Sequence, residues 1–260
     1  MKRLLHCLPA LGVVAFLVMP LSTVNAIQLS IPIVATGDDV EEFLEVDGAN
    51  PLGHIDLTSS DLELGSDGPP APRQVIGLRF LNIGIPQGAT INSAFIQFMQ
   101  DEPDNEADTD VRISGELAPN SAPFSATLFD VTSRSDTTNS VVWNDIPEWV
   151  NGSPATGECT VCLSGPEHRS PNIAPVVQEI VNQAGWTSGN ALSIFIQPDP
   201  ITDNTMERTA ISYDDVIAAA NAGRGYQPAI LIVDYVPEPT ALALFAMAGF
   251  GLAQLRRRRG

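Results

Sequence analysis

Apolar and polar residues alternate in short runs over most of the chain. Ile27 to Val34 is mostly apolar and β-branched and reads as a first strand, and the acidic run Asp38-Asp39-Val40-Glu41-Glu42 follows it. Within Leu57 to Leu64, Leu62 and Leu64 alternate with acids. The clearest strands are Val75 to Phe80 and Ile91 to Met99, joined by the turn signature Ile85-Pro86-Gln87-Gly88. Val111 to Glu116, Ser140 to Trp143 and Ala191 to Ile196 also read as strands, and Ala229 to Tyr235 closes the series. The helical period appears at Ile173, Val176, Val177, Ile180 and Val181, with Gly185 as a C-terminal stop. Asp214 to Ala222 is open to a second short helix or an Ala-rich loop insertion. Many short strands with Gly, Pro and Asp turns and one short helix predict an all-β fold, an antiparallel β-sandwich of the jelly-roll type. Neither an internal repeat nor a Pro-rich linker divides it, so residues 27–235 read as one domain.

The two ends have a different pattern. Met1-Lys2-Arg3, an apolar stretch from Leu4 to Leu21 and the small residues up to Ala26 read as a signal peptide, residues 1–26, cleaved after Ala26. At the other end, residues 236–260 open with Val236-Pro237-Glu238-Pro239. A candidate transmembrane helix over residues 240–255 follows, then the cluster Arg256, Arg257, Arg258 and Arg259. The apolar part, Ala241 to Leu255, spans about 23 Å as a helix against an apolar bilayer core of about 30 Å. Arginine stems that snorkel to the headgroups supply part of the difference, and the positive-inside bias leaves the acidic body outside.

Without these ends the body keeps seven basic residues, all arginine, against 30 acids, a formal charge of −23. Such a surface repels phosphate backbones and anionic headgroups, which excludes nucleic-acid binding and favours divalent cations as partners. Of three cysteines, Cys7 lies in the signal peptide. Cys159 and Cys162 remain as a pair in an oxidising compartment and read as a small loop-closing disulfide. The alternatives are a redox pair, a zinc site with His168, and free thiols.

Two acidic groups are candidate Ca2+ sites. Asp101, Glu102, Asp104, Asp108 and Asp110 crowd one loop, where several carboxylates suit a hard cation taking six to eight oxygens, although the spacing is not that of an EF-hand and a solvated acidic loop is the alternative. Asp38, Asp39, Glu41 and Glu42 form the second group, able to meet Asp214 and Asp215 if the first and penultimate strands are neighbours. Trp143 and Trp186 read as core residues. Trp149 lies in a loop and reads as an exposed ligand platform for a sugar ring. No catalytic constellation is legible: His54 and His168 have no partner in a recognisable elbow, and Gly-x-Ser-x-Gly is absent. Arg79, Arg112 and Arg208, on or beside strands, are expected to pair with inward acids.

The tail resembles the PEP-CTERM sorting signal of Gram-negative exopolysaccharide-producing bacteria in all three of its parts. That resemblance implies recognition by an exosortase-type processing enzyme, with inner-membrane anchoring before processing and a cell-surface or matrix location after it. A permanent one-span anchor is the alternative. The body is similar to the DNRLRE-type domains related to carbohydrate-binding module family 96. The similarity is carried by Gly77-Leu78-Arg79-Phe80 with Ile85-Pro86-Gln87-Gly88, Ala94 to Phe98, Val142-Trp143, Gln178 to Trp186, Arg208 and Ser212-Tyr213-Asp214. It implies a jelly-roll surface module and, in some relatives, polysaccharide binding. The expected function is that of a non-enzymatic surface or matrix protein associated with exopolysaccharide; the alternative is a secreted polysaccharide lyase or hydrolase.

Overall fold

A computed structural model describes residues 25–67, 72–101, 109–149, 164–199, 206–220 and 225–238. The strands are β1 (Ile27–Pro32), β2 (Asp39–Phe43), β3 (Ile55–Asp56), β4 (Asp61–Glu63), β5 (Gln74–Phe80), β6 (Thr90–Gln97), β7 (Thr109–Gly115), β8 (Val141–Ile146), β9 (Leu192–Pro198), β10 (Thr209–Ile211) and β11 (Ile230–Val236). Two helices accompany them, α1 (Ala174–Val181) and α2 (Tyr213–Ala220). The chain is therefore mostly antiparallel β-structure, as expected, with a second helix where an Ala-rich loop had been the alternative.

Three sheets form two layers. One layer is six-stranded, in the order β3-β2-β5-β9-β7-β8. The other contains β1-β11-β6 and the pair β10-β4; Ile211 N–H bonds to Met99 O at 2.9 Å, which attaches β10 to the chain just beyond β6. Side chains from both layers enter one core, among them Ile76, Leu78, Ile113 and Ile194 from the first and Ala94, Ile96, Leu231 and Val233 from the second. In β11 every second residue is buried, the period-two pattern of a strand with one face on a core.

Helix α1 begins after Ile173 with Pro175 in its first turn and buries Val176, Val177, Ile180 and Val181 against β6 and β7. Gly115 permits that approach, because a β-carbon there would lie 2.7 Å from Ile180 Cδ1. The outer face of the six-stranded sheet is covered by residues 116–137. Phe124 and Val131 from this segment pack on Val40, Ile55, Val75 and Phe195 in a second, smaller core. This cover explains why β2, β5 and β9 are buried on both faces.

Strand β2 is the element least expected from its residues, since Asp39, Glu41 and Glu42 disfavour strands. All five of its residues are nevertheless buried, each carboxylate held by a specific partner. Among the described residues no helix is long and apolar enough to cross a membrane. The candidate transmembrane segment, residues 240–255, lies outside the described residues, as do residues 1–24 of the expected signal peptide, Pro239 of the expected sorting motif, the arginine cluster and both body cysteines.

Candidate functional site

Alternation in β2 divides the acidic run between two faces. Val40 and Glu42 point outward under the covering segment, where the Glu42 carboxylate accepts the backbone N–H groups of Val131 (2.8 Å) and Thr132 (2.9 Å) and the Thr132 hydroxyl. Asp39 and Glu41 point the other way, toward β4 and α2. Asp39 Oδ2 accepts the Tyr213 N–H at 2.6 Å, and Asp214 Oδ1 accepts the Thr36 hydroxyl at 3.0 Å. Glu41 Oε1 accepts the Glu63 N–H at 3.0 Å, and the Glu63 carboxyl also hydrogen-bonds to Glu41. Ser59 bonds both Glu41 and Asp61, so acids of β2 and β4 form one seam.

Burial governs proton affinity along this seam. It pushes Asp39 up to about 7, with repulsion from Asp214 and Asp38 adding to the effect against the Tyr213 hydrogen bond. Glu41 is likewise raised to about 7 by burial, opposed by the hydrogen bonds from Glu63. Glu63 is pushed up to about 12 by burial, by its hydrogen bond to Glu41 and by the charges of Glu41, Asp61 and Asp67. At neutral pH Glu63 is thus a carboxylic acid that donates to Glu41.

The remaining expected ligands separate. Asp38 forms an ion pair with Arg79 at 2.7 Å, and Glu42 faces away from Asp39, so β2 does not present Asp38, Asp39 and Glu42 to one cation. The expected meeting with Asp214 and Asp215 was to follow from neighbouring first and penultimate strands, but β1 pairs with β11 and the penultimate strand β10 pairs with β4; Asp39 instead accepts the N–H of Tyr213, next to Asp214. Of the acidic loop, Glu102, Asp104 and Asp108 lie outside the described residues. Asp110 Oδ1 accepts the Asp145 N–H at 2.7 Å, and Asp101 N–H bonds to Thr209 O at 2.9 Å. No three Asp, Glu, His or Cys side chains converge on a metal position among the described residues.

Trp149 does not fit the exposed platform expected of it. Its ring is 1 % exposed and lies 5.0 Å from the His168 ring, and Gln100 Nε2 bonds to its carbonyl at 2.8 Å. The flanking polar residues concealed the burial, because its neighbours Gln100 and His168 come from the chain beyond β6 and from the segment before α1. His168 is itself buried, its proton affinity lowered by that burial, and its Nδ1 accepts the Gly165 N–H. Trp143 and Trp186 are buried, as expected. Arg112 pairs with Asp136 at 3.1 Å, and the buried Arg208 donates to backbone carbonyls, including those of Ile146 and Pro147.

The described surface carries a groove that no local pattern in the sequence shows. An open groove of about 550 Å3 runs along α1, lined by Leu117, Asn139, Pro175, Gln178, Glu179 and Asn182, with Gln183 at its end. Its polar groups are preset. Glu179 accepts the N–H groups of Thr138 and Asn139, each at 2.8 Å, and the Asn139 side-chain amide at 2.7 Å; these bonds lower its proton affinity although burial works the other way. Gln178 holds Ile91 N–H, Ala89 O and Asn182 Oδ1. At the C-terminal end of the body, Val236 pairs with Thr90, and Pro237 and Glu238 follow directly. A β-carbon at Gly88 would lie 3.3 Å from the Glu238 carboxyl carbon, so the Glu238 side chain rests on the β5–β6 turn.

The fold and these sites define a class, an antiparallel all-β protein with a buried acidic seam and an amide-lined surface groove. The sequence matches no protein-family model, and none of the curated proteins compared with it matches.

Proposed function

We propose that the chain is an exported, non-enzymatic jelly-roll protein of the cell surface or extracellular matrix. Its body associates with extracellular polysaccharide, and its tail is read by an exosortase-type enzyme. The observation that supports polysaccharide association is the groove along α1. Amide and carboxylate groups fixed by their own hydrogen bonds line an open channel beside the apolar Leu117 and Pro175, a composition suited to sugar hydroxyls and ring faces. The lack of an aromatic platform makes this a polar, low-affinity surface. Export is supported by the two terminal segments and by the acidic, lysine-free body.

The test is affinity electrophoresis of full-length protein through gels containing exopolysaccharide, with Asn182→Ala as the variant. Asn182 is exposed on the groove wall, so its loss leaves the core unchanged. Retardation by polysaccharide that falls at least about threefold in the variant, with an unchanged melting temperature, supports the reading. Equal retardation of the two proteins rejects the groove as the site. Release of reducing ends would assign the protein to the polysaccharide-active enzymes instead.

A further inference from the structure

Asp39 in β2 and Asp214 in the first turn of α2 are neighbours, brought together by the Tyr213 bond to Asp39, and each carboxylate is tethered by one oxygen. The Tyr213 N–H holds Asp39 Oδ2 and the Thr36 hydroxyl holds Asp214 Oδ1. Their other oxygens, Asp39 Oδ1 and Asp214 Oδ2, are shielded from solvent and have no hydrogen-bond donor. Asp39 is 3 % exposed. A buried carboxylate oxygen without a donor is costly, and repulsion between the two groups adds to the cost.

The neighbouring pair shows the other solution to the same problem. Glu63 and Glu41 share a proton in a direct hydrogen bond. Asp39 and Asp214 interact through charge alone. Asp38, beside Asp39 on the chain, is paired with Arg79. The N-terminal dipole of α2 favours negative charge here, but its N–H reaches the tethered oxygen of Asp39 and not the bare one.

We propose that Asp39 and Asp214 bind a hard divalent cation between their untethered oxygens, Asp39 Oδ1 and Asp214 Oδ2. Calcium takes six to eight oxygens at about 2.3–2.6 Å, so backbone carbonyls and water complete the shell. With two carboxylates and no third acid converging among the described residues, the site belongs to the weak class, with a dissociation constant of about 10⁻⁴–10⁻³ M. This inference is independent of polysaccharide association.

Thermal melts of full-length protein in EDTA, Ca2+ and Mg2+ test it. At about 10 mM ion the site predicts a rise of roughly 3–10 °C for wild type. Asp214→Asn removes the charge but keeps an oxygen for Thr36; it is expected to lose the rise and to melt no lower than wild type in EDTA. Asp39→Asn, which keeps an oxygen for the Tyr213 amide, is the second variant with the same expectation. Glu41→Gln is the control and retains the rise. The proposal is overturned if wild type shows no rise with either ion, or if either Asn variant keeps it. Polysaccharide retention measured on the same variants separates failure of this site from failure of the surface reading.

Discussion

Glu63→Gln should remove the decline of stability with rising pH that Glu63 contributes. In the folded protein Glu63 keeps its proton up to about 12, whereas in the unfolded chain it releases it near the ordinary 4.5. Folding therefore takes up a proton at every pH between those values. The stabilisation is fully present below 4.5 and declines as pH rises toward 12, by about 1.4 kcal/mol per pH unit. From pH 5 to pH 8 the loss is about 4 kcal/mol, a large share of the 5–15 kcal/mol that holds an ordinary domain together. Glutamine offers Glu41 an N–H donor in the same place and has no proton to lose. Urea denaturation of wild type and variant at unit steps from pH 5 to pH 8 measures the difference. The two should be of similar stability near pH 5, and the variant should gain by about 1.4 kcal/mol per unit above it. Asp39 and Glu41, both raised to about 7, add a further decline between their ordinary values and pH 7 in both proteins. Parallel stability profiles would refute the shared proton.

Other predictions concern the groups that fasten one layer to another. Glu42→Ala strips the acceptor from Val131 and Thr132 and should cost about 3 kcal/mol, with residues 116–137 becoming sensitive to limited proteolysis; an uncut segment would count against its anchoring role. Arg79→Ala breaks the ion pair with Asp38 and the bond to Ser121 O at 3.1 Å, so a loss of about 3 kcal/mol in chemical denaturation is expected, without an effect on polysaccharide retention. Trp149→Ala should cost about 3–5 kcal/mol, read by calorimetry, because it opens a cavity in the main core. A Trp149→Ala protein that melts like wild type but loses sugar binding would restore the ring as a ligand platform.

The strand pattern was the most legible part of the chain. β6 and β11 show apolar positions near the spacing of two that a half-buried strand requires, β5 and β9 show the denser apolar runs of strands covered on both faces, and α1 shows the helical spacing together with its Gly185 stop. The candidate sites were legible only as residue types. Their partners lie 89 residues away for Glu42 and Val131, and 174 for Asp39 and Tyr213, separations at which a local pattern carries no information. The groove was illegible for a related reason: α1 contributes one wall, while Leu117 and Asn139 arrive from the chain around the covering segment.

Composition, strand and helix periods and the two terminal segments follow from the sequence alone, because they depend on each residue's own chemistry and its near neighbours. Burial of polar residues was decided by the tertiary structure. Gly77 is an example: a β-carbon there would lie 2.8 Å from Phe124 Cζ, yet nothing in the local sequence shows that Phe124 covers it. Trp149 and the acids of β2 follow the same rule. A loop tryptophan became core and an acidic run became a buried strand, because distant segments supplied the cover and the hydrogen bonds that make such burial tolerable.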